Sequence, residues 1–193
     1  MPFDLWLTFV AASMALLLIP GPTVLLVLSY ALSKGRSVAV ASAAGVALGD
    51  LVAMTASLAG LGALVLASST LFVALKWVGA AYLIYLGYKL IRSAPTSGLE
   101  MPEADNITAS RVFGHTTAVT ALNPKSIAFF IAFVPQFIRA DAALLPQFAI
   151  LIATFVTLAA GNALAYALAA DRLRQVIAPV SYPHLTLPTR RIG

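Results

Sequence analysis

Cysteine is absent from this sequence, which excludes disulfides, thiol catalysis and thiolate metal sites together. Charge is nearly as scarce: 10% of the 193 residues are Asp, Glu, Lys or Arg, against about 25% in a soluble domain. That rules out an ordinary cytosolic enzyme, a disordered chain and a nucleic-acid binder. Histidine occurs only twice, too sparsely to build a ligand cluster. What the chain does have is apolar surface, with 61% hydrophobic residues and a mean hydropathy of +0.94. Its net charge of +5 comes from cations placed singly at the ends of apolar runs, the arrangement that membrane orientation requires. An integral membrane protein is expected.

Five apolar spans follow from the pattern, at about residues 5–32, 38–66, 71–91, 112–138 and 144–170. Their lengths suit membrane helices of roughly 20 residues or more. Backbone groups in hydrocarbon need internal partners, and runs without period-2 alternation exclude a barrel, so the spans are helices. Met1-Pro2-Phe3-Asp4 lacks a basic n-region and precedes too long an apolar stretch for a cleaved signal peptide, so a retained first helix is expected. The polar segment 92–111 is the one substantial loop. With the N-terminus outside, Lys34, Arg36, Lys89, Arg92, Arg111, Arg172 and Arg174 fall inside and only Arg139 outside, a positive-inside pattern. Residues 1–178 are thus expected to form one transmembrane domain, with a periplasmic N-terminus and loop 92–111 in the cytoplasm. The segment 179–193, with Pro179, Pro183 and Pro188 and then Arg190-Arg191, reads as a non-native-looking or disordered tail rather than a sixth span.

Three features in these spans carry chemistry. Asp50 lies twelve residues beyond Val38, roughly 18 Å deep at about 1.5 Å per residue, near the bilayer middle. A carboxyl there costs several kcal/mol unless paired or hydrated, which marks a functional site; the same group also fits a protonated or hydrogen-bonded tie between helices. Its helix face carries Ala43, Val46, Ala47, Ala53, Met54 and Ser57, mostly small residues suited to an interior contact. Pro20-Gly21-Pro22 interrupts the first span at comparable depth. Two missing amide donors break the helical ladder, and the restart leaves free N–H groups at a positive dipole end; a plain proline kink is the alternative. Asn123-Pro124-Lys125 combines a break, a capping amide and a cation in the fourth span. Lys125 would neutralise a substrate carboxylate, pair with Asp50, or snorkel toward an interface.

Each break opens a three-helix block. Paired broken helices around a midplane site are the sequence pointer to inverted-repeat secondary transporters. Gly45 and Gly49 form a small-xxx-small pair that reads as helix packing. Lys76 and Trp77 read as interfacial anchors, and His115 as an interfacial histidine. Secondary site candidates are Gly49 beside Asp50, Tyr82 if its hydroxyl faces a cavity, and Asn162, which an interhelical hydrogen bond explains equally well.

Taken together these residues resemble the LysE/RhtB family of amino-acid exporters. The resemblance is carried by Pro20-Gly21-Pro22, Gly45 with Gly49-Asp50, and Lys76-Trp77-Val78-Gly79-Ala80-Ala81-Tyr82-Leu83 followed by Gly87. Phe113-Gly114, Asn123-Pro124-Lys125, Phe129-Phe130 and Phe133-Val134-Pro135-Gln136-Phe137 extend it. It implies an all-α integral membrane protein: a six-helix, 3+3 inverted-repeat fold of which this chain supplies five transmembrane helices, truncated before the last. It also implies a bacterial inner-membrane exporter of amino acids or related metabolites, driven by the ion gradient.

Expected partners are a small-molecule substrate, protons and the bilayer, with no nucleic acid; a homo-oligomer is left open. No cofactor and no metal are expected. A membrane-embedded enzyme would need paired carboxylates, a His cluster or a nucleophile–base pair, which the spans lack. A metal-ion transporter would need several carboxylates, His or thiolates at one depth. The remaining alternatives are a related small-solute or cation transporter and an inactive fragment lacking the last helix.

Overall fold

The computed structural model describes residues 1–34, 36–92 and 108–177. The expected tail 179–193, Gly35 of the first basic turn and most of the expected loop 92–111 lie outside the described residues. The described residues form seven helices: α1 Phe3–Leu18, α2 Pro22–Lys34, α3 Arg36–Ala67, α4 Ser69–Arg92, α5 Ala109–Ala121, α6 Pro124–Ala132 and α7 Leu144–Ile177, with a 3-10 turn at Val134–Phe137 between the last two. No strand occurs among the described residues.

Proline placement explains where the helices break. Pro20 and Pro22 end α1 and start α2, and the two axes, Phe3–Leu18 and Pro22–Leu32, bend by 57°. Pro124 stands at the first position of α6, where its missing N–H is harmless. Asn123 supplies the N-cap, its Oδ1 accepting from the Lys125 amide at 3.0 Å. The pair Ala109–Ala121 and Pro124–Phe137 bends by 44°. By contrast α3 contains no proline and runs unbroken for 32 residues. At about 1.5 Å per residue that exceeds the roughly 30 Å hydrocarbon core, so a tilted crossing is expected.

Among the described residues two single helices, Ser37–Ala67 and Leu144–Leu173, are long and apolar enough to cross a membrane, with up to four spans if each bent pair is one. The expected span 71–91 lies within α4, and Thr70–Tyr82 is an apolar stretch of that helix. The chain is an all-helical, multi-pass membrane protein.

α3 is the central helix, and glycine sets how closely its neighbours approach. A Cβ on Gly45 would lie 2.7 Å from the Phe113 carbonyl oxygen, and one on Gly49 would lie 2.6 Å from Thr120 Cβ and 2.8 Å from the Thr117 oxygen. Both glycines thus work as packing surface against α5, as their spacing predicts. Gly49→Ala should destabilise the fold by about 1–3 kcal/mol through overpacking. Thermal melting of the solubilised protein checks this, with Gly60→Ala as control, because a Cβ at Gly60 meets nothing within 4 Å. Equal melting of the two variants would refute the tight α3–α5 contact.

Aromatic rings close the other side of the core. Phe130 and Phe155 meet edge to face at 4.9 Å, Phe129 and Phe133 stack at 4.6 Å, and Phe137 meets Phe9 of α1 at 5.2 Å. The connection into α7 is held by buried Gln147, whose Oε1 accepts from the Arg139 amide at 2.9 Å while its Nε2 donates to the Arg139 and Ala143 carbonyls, each at 3.0 Å.

Candidate functional site

Both helix breaks open on one cavity. Its walls include Gly21, Thr23 and Val24 from the start of α2, Asp50 and Val46 from α3, Asn123, Lys125 and Ser126 from the start of α6, and Phe155, Ala159, Asn162 and Ala163 from α7. Of the residues singled out in the sequence, Gly21, Asp50, Asn123, Lys125 and Asn162 are therefore brought together. Pro20, Pro22 and Pro124 shape the breaks that frame it. Gly49 instead packs against α5, and Tyr82 stands on the exposed side of α4, its ring 6.3 Å from that of Tyr85.

The α3 face predicted to be interior is interior. Ala43, Val46, Ala53 and Met54 are buried, with Ala47 and Ser57 half-buried. Asp50 is 3% exposed, and its Oδ1 has no hydrogen-bond partner. An unpaired buried carboxyl oxygen is costly to the fold, and the Ser13, Thr116 and Thr120 hydroxyls are likewise buried without a partner.

Lys125 does not take Asp50 as its partner. Arg139 and Asp141 form an ion pair at 2.7 Å on the surface, whereas Lys125 and Asp50 form none. The Lys125 ammonium instead donates to the carbonyls of Ile19 at 2.8 Å and Leu16 at 3.2 Å. These belong to the C-terminal end of α1, where carbonyls have no partner in their own helix and the dipole is negative. The neighbouring carbonyls are served from α7: Asn162 Nδ2 donates to Leu17 at 3.1 Å, and the Tyr166 hydroxyl to Leu18 at 3.3 Å. The Lys125 stem lies across Gly21, where a Cβ would sit 3.3 Å from its Cδ and 3.4 Å from its Nζ.

The two breaks are also joined directly. Asn123 Nδ2 donates to Thr23 Oγ1 at 3.0 Å, so the residue that caps α6 also holds the first turn of α2. Next to this link, the amides of Thr23 and Val24 lie in the first turn, where no in-helix acceptor exists. The cavity thus has a carboxylate on α3, positive helix ends on α2 and α6, and a cation held between α1 and α6. Apolar side chains, Leu16, Leu17, Val27 and Phe155 among them, line the rest. Its volume is about 50 Å³, room for a few waters at about 10–15 Å³ of such space each.

Thr23, Ser126 and Tyr166 are polar groups at or beside the site that sequence reasoning passed over. For Tyr166 a signal existed, since it lies four residues beyond Asn162 on the same face of α7. His115 lies apart from the cavity, its Nδ1 2.7 Å from the Tyr30 hydroxyl.

A multi-pass helical protein with two broken helices facing a buried carboxylate has the architecture of a membrane transporter. The chain belongs to the LysE type translocator family, whose model matches residues 14–183. It is similar to an uncharacterized membrane protein of Pseudomonas aeruginosa, at 41% identity over 140 residues, 70% of this chain and 64% of that protein. It is also similar to a protein named leucine efflux protein from Klebsiella pneumoniae, at 31% identity over 137 residues covering 71% and 65% of the two chains. A leucine efflux protein of Salmonella choleraesuis is 30% identical over 135 residues, 70% and 64% of the respective lengths. In each case the match spans slightly less than two thirds of the relative's own length. No solved structure matches. The family is one of translocators, not enzymes.

Proposed function

We propose that this protein exports an amino acid or a closely related small metabolite across the bacterial inner membrane, coupled to protons. The observation that carries the reading is the unpartnered Asp50 oxygen facing the same cavity as the first turns of α2 and α6. An amino acid is a zwitterion and needs opposite charges a short distance apart. Its ammonium would meet Asp50; its carboxylate would meet the Thr23 and Val24 amides and the Lys125 ammonium. Asn162 and the Asn123 cap position these groups. A carboxylate in low dielectric accommodates either a proton or the substrate ammonium, and that competition couples the two. The apolar lining suits an aliphatic side chain, and two relatives carry the name leucine efflux protein, so leucine is the first substrate to try. Ligand sites generally span about 300–1,000 Å³, so loading requires the bent helices to part.

The same reading assigns the two broken spans to corresponding positions of a 3+3 inverted repeat, with the N-terminus in the periplasm. The test is efflux from cells expressing the chain and loaded with leucine-containing dipeptides. Leucine should leave faster than from vector controls, and an uncoupler should abolish the difference. Efflux that ignores the uncoupler would reject proton coupling; efflux no faster than the control would reject the exporter reading.

A further inference from the structure

The end of α1 offers a place for a cation, and the chain fills it with its own. Carbonyl ends of unwound helices coordinate sodium in several families of ion-driven transporters. Here the Leu16 and Ile19 carbonyls point at one position, with the Asp50 oxygen unpartnered in the same cavity. Carbonyl and carboxylate oxygens form a hard donor set, the kind that alkali and alkaline-earth cations take; the two carbonyls converge on the ammonium, and Asp50 stands on the same cavity beyond ion-pair distance of it. The Lys125 ammonium already occupies the carbonyl half of that set, and Gly21 leaves the space its stem needs.

We propose that Lys125 is a tethered cation seated where a free sodium ion would otherwise bind, so that the protein has no sodium requirement and gains a monovalent-cation site when that charge is removed. The consequence for coupling rests on the exporter reading; the site itself does not. Lysine suits the position because three N–H donors on a flexible stem reproduce the charge of an alkali ion without its coordination number. Two of the three donors are accounted for by Leu16 and Ile19, leaving one for Asp50 or a substrate carboxylate as the cavity opens.

The experiment uses the purified full chain, melted in sodium chloride and in choline chloride at equal ionic strength. The wild-type protein should melt at the same temperature in both. Lys125→Ala should melt lower in choline and recover by roughly 2–4 °C in sodium, the shift expected of a ligand that binds only the folded state. Adding Asp50→Asn to that variant should remove the recovery. Should Lys125→Ala fail to fold, Lys125→Met keeps most of the apolar stem without the charge or any donor, and the same sodium recovery is expected of it. Radioactive sodium binding to the wild-type chain is the independent measurement, and none is expected. Sodium binding by the wild type, or charge-free variants indifferent to sodium, would overturn the proposal. Neither readout depends on transport, so a failed leucine efflux assay leaves this result standing and the reverse also holds.

Discussion

Asp50→Asn is expected to reduce export to background while leaving the folded protein intact. The substitution keeps the size and shape of the side chain and removes only the charge. Because Asp50 Oδ1 has no partner in the fold, no structural bond is lost with it. An unpaired buried carboxyl is a cost to the folded state, so the Asn variant should insert normally and melt no lower than wild type. Transport should respond very differently. Removing one partner of a buried charge pair costs about 3–5 kcal/mol, which corresponds to a loss of roughly 10²–10⁴-fold in affinity for the substrate ammonium. Proton coupling should disappear with it, since an amide does not titrate. Paired melting curves and dipeptide-loaded efflux at several pH values make the comparison. Wild-type export with an unchanged pH profile in Asp50→Asn would make the aspartate a structural tie.

The helices themselves were largely legible from hydropathy. The expected spans 38–66 and 144–170 correspond to α3 at Arg36–Ala67 and α7 at Leu144–Ile177, because long apolar runs with no proline beyond the first turn, where Pro146 sits in α7, have one stable conformation in lipid. The two breaks were legible as well, since proline acts on its own backbone regardless of context. Partnership across the fold was not. Counting residues from a span end gives Lys125 a depth but not the element opposite, and three groups compete for its ammonium: a carboxylate, free carbonyls and lipid headgroups. The carbonyl end of α1 prevails because it is already fixed at 2.8 Å and 3.2 Å. Sequence reasoning weighed the free amides after the break and not the free carbonyls before it. Those carbonyls are satisfied by Lys125, Asn162 and Tyr166, more than 100 residues away, a separation that no local periodicity encodes. Tyr82 fails for a related reason, since neither depth nor composition reports which way a helix faces.

Asn123→Ala should damage both the fold and transport, because one side chain performs two tasks. Its Oδ1 caps α6 through the Lys125 amide, and its Nδ2 reaches 100 residues back to Thr23. Loss of the cap alone costs about 0.5–2 kcal/mol, and the hydrogen bond to Thr23 adds about 1 kcal/mol. Melting should fall accordingly, and transport should fall further than stability, because Lys125 and the first turn of α2 both lose their reference point. Two further variants separate the tasks. Asn123→Asp keeps the acceptor that caps α6 but has no donor for Thr23, whereas Thr23→Val removes the acceptor on α2 and spares the cap. If the link between the breaks aligns them, Asn123→Asp and Thr23→Val should each lower export while melting close to wild type. In a double-mutant cycle, Asn123→Ala combined with Thr23→Val should then fall short of additivity by about 1 kcal/mol in stability. Full additivity of the two, with wild-type export in Thr23→Val, would show that the breaks move independently and that Asn123 serves α6 alone.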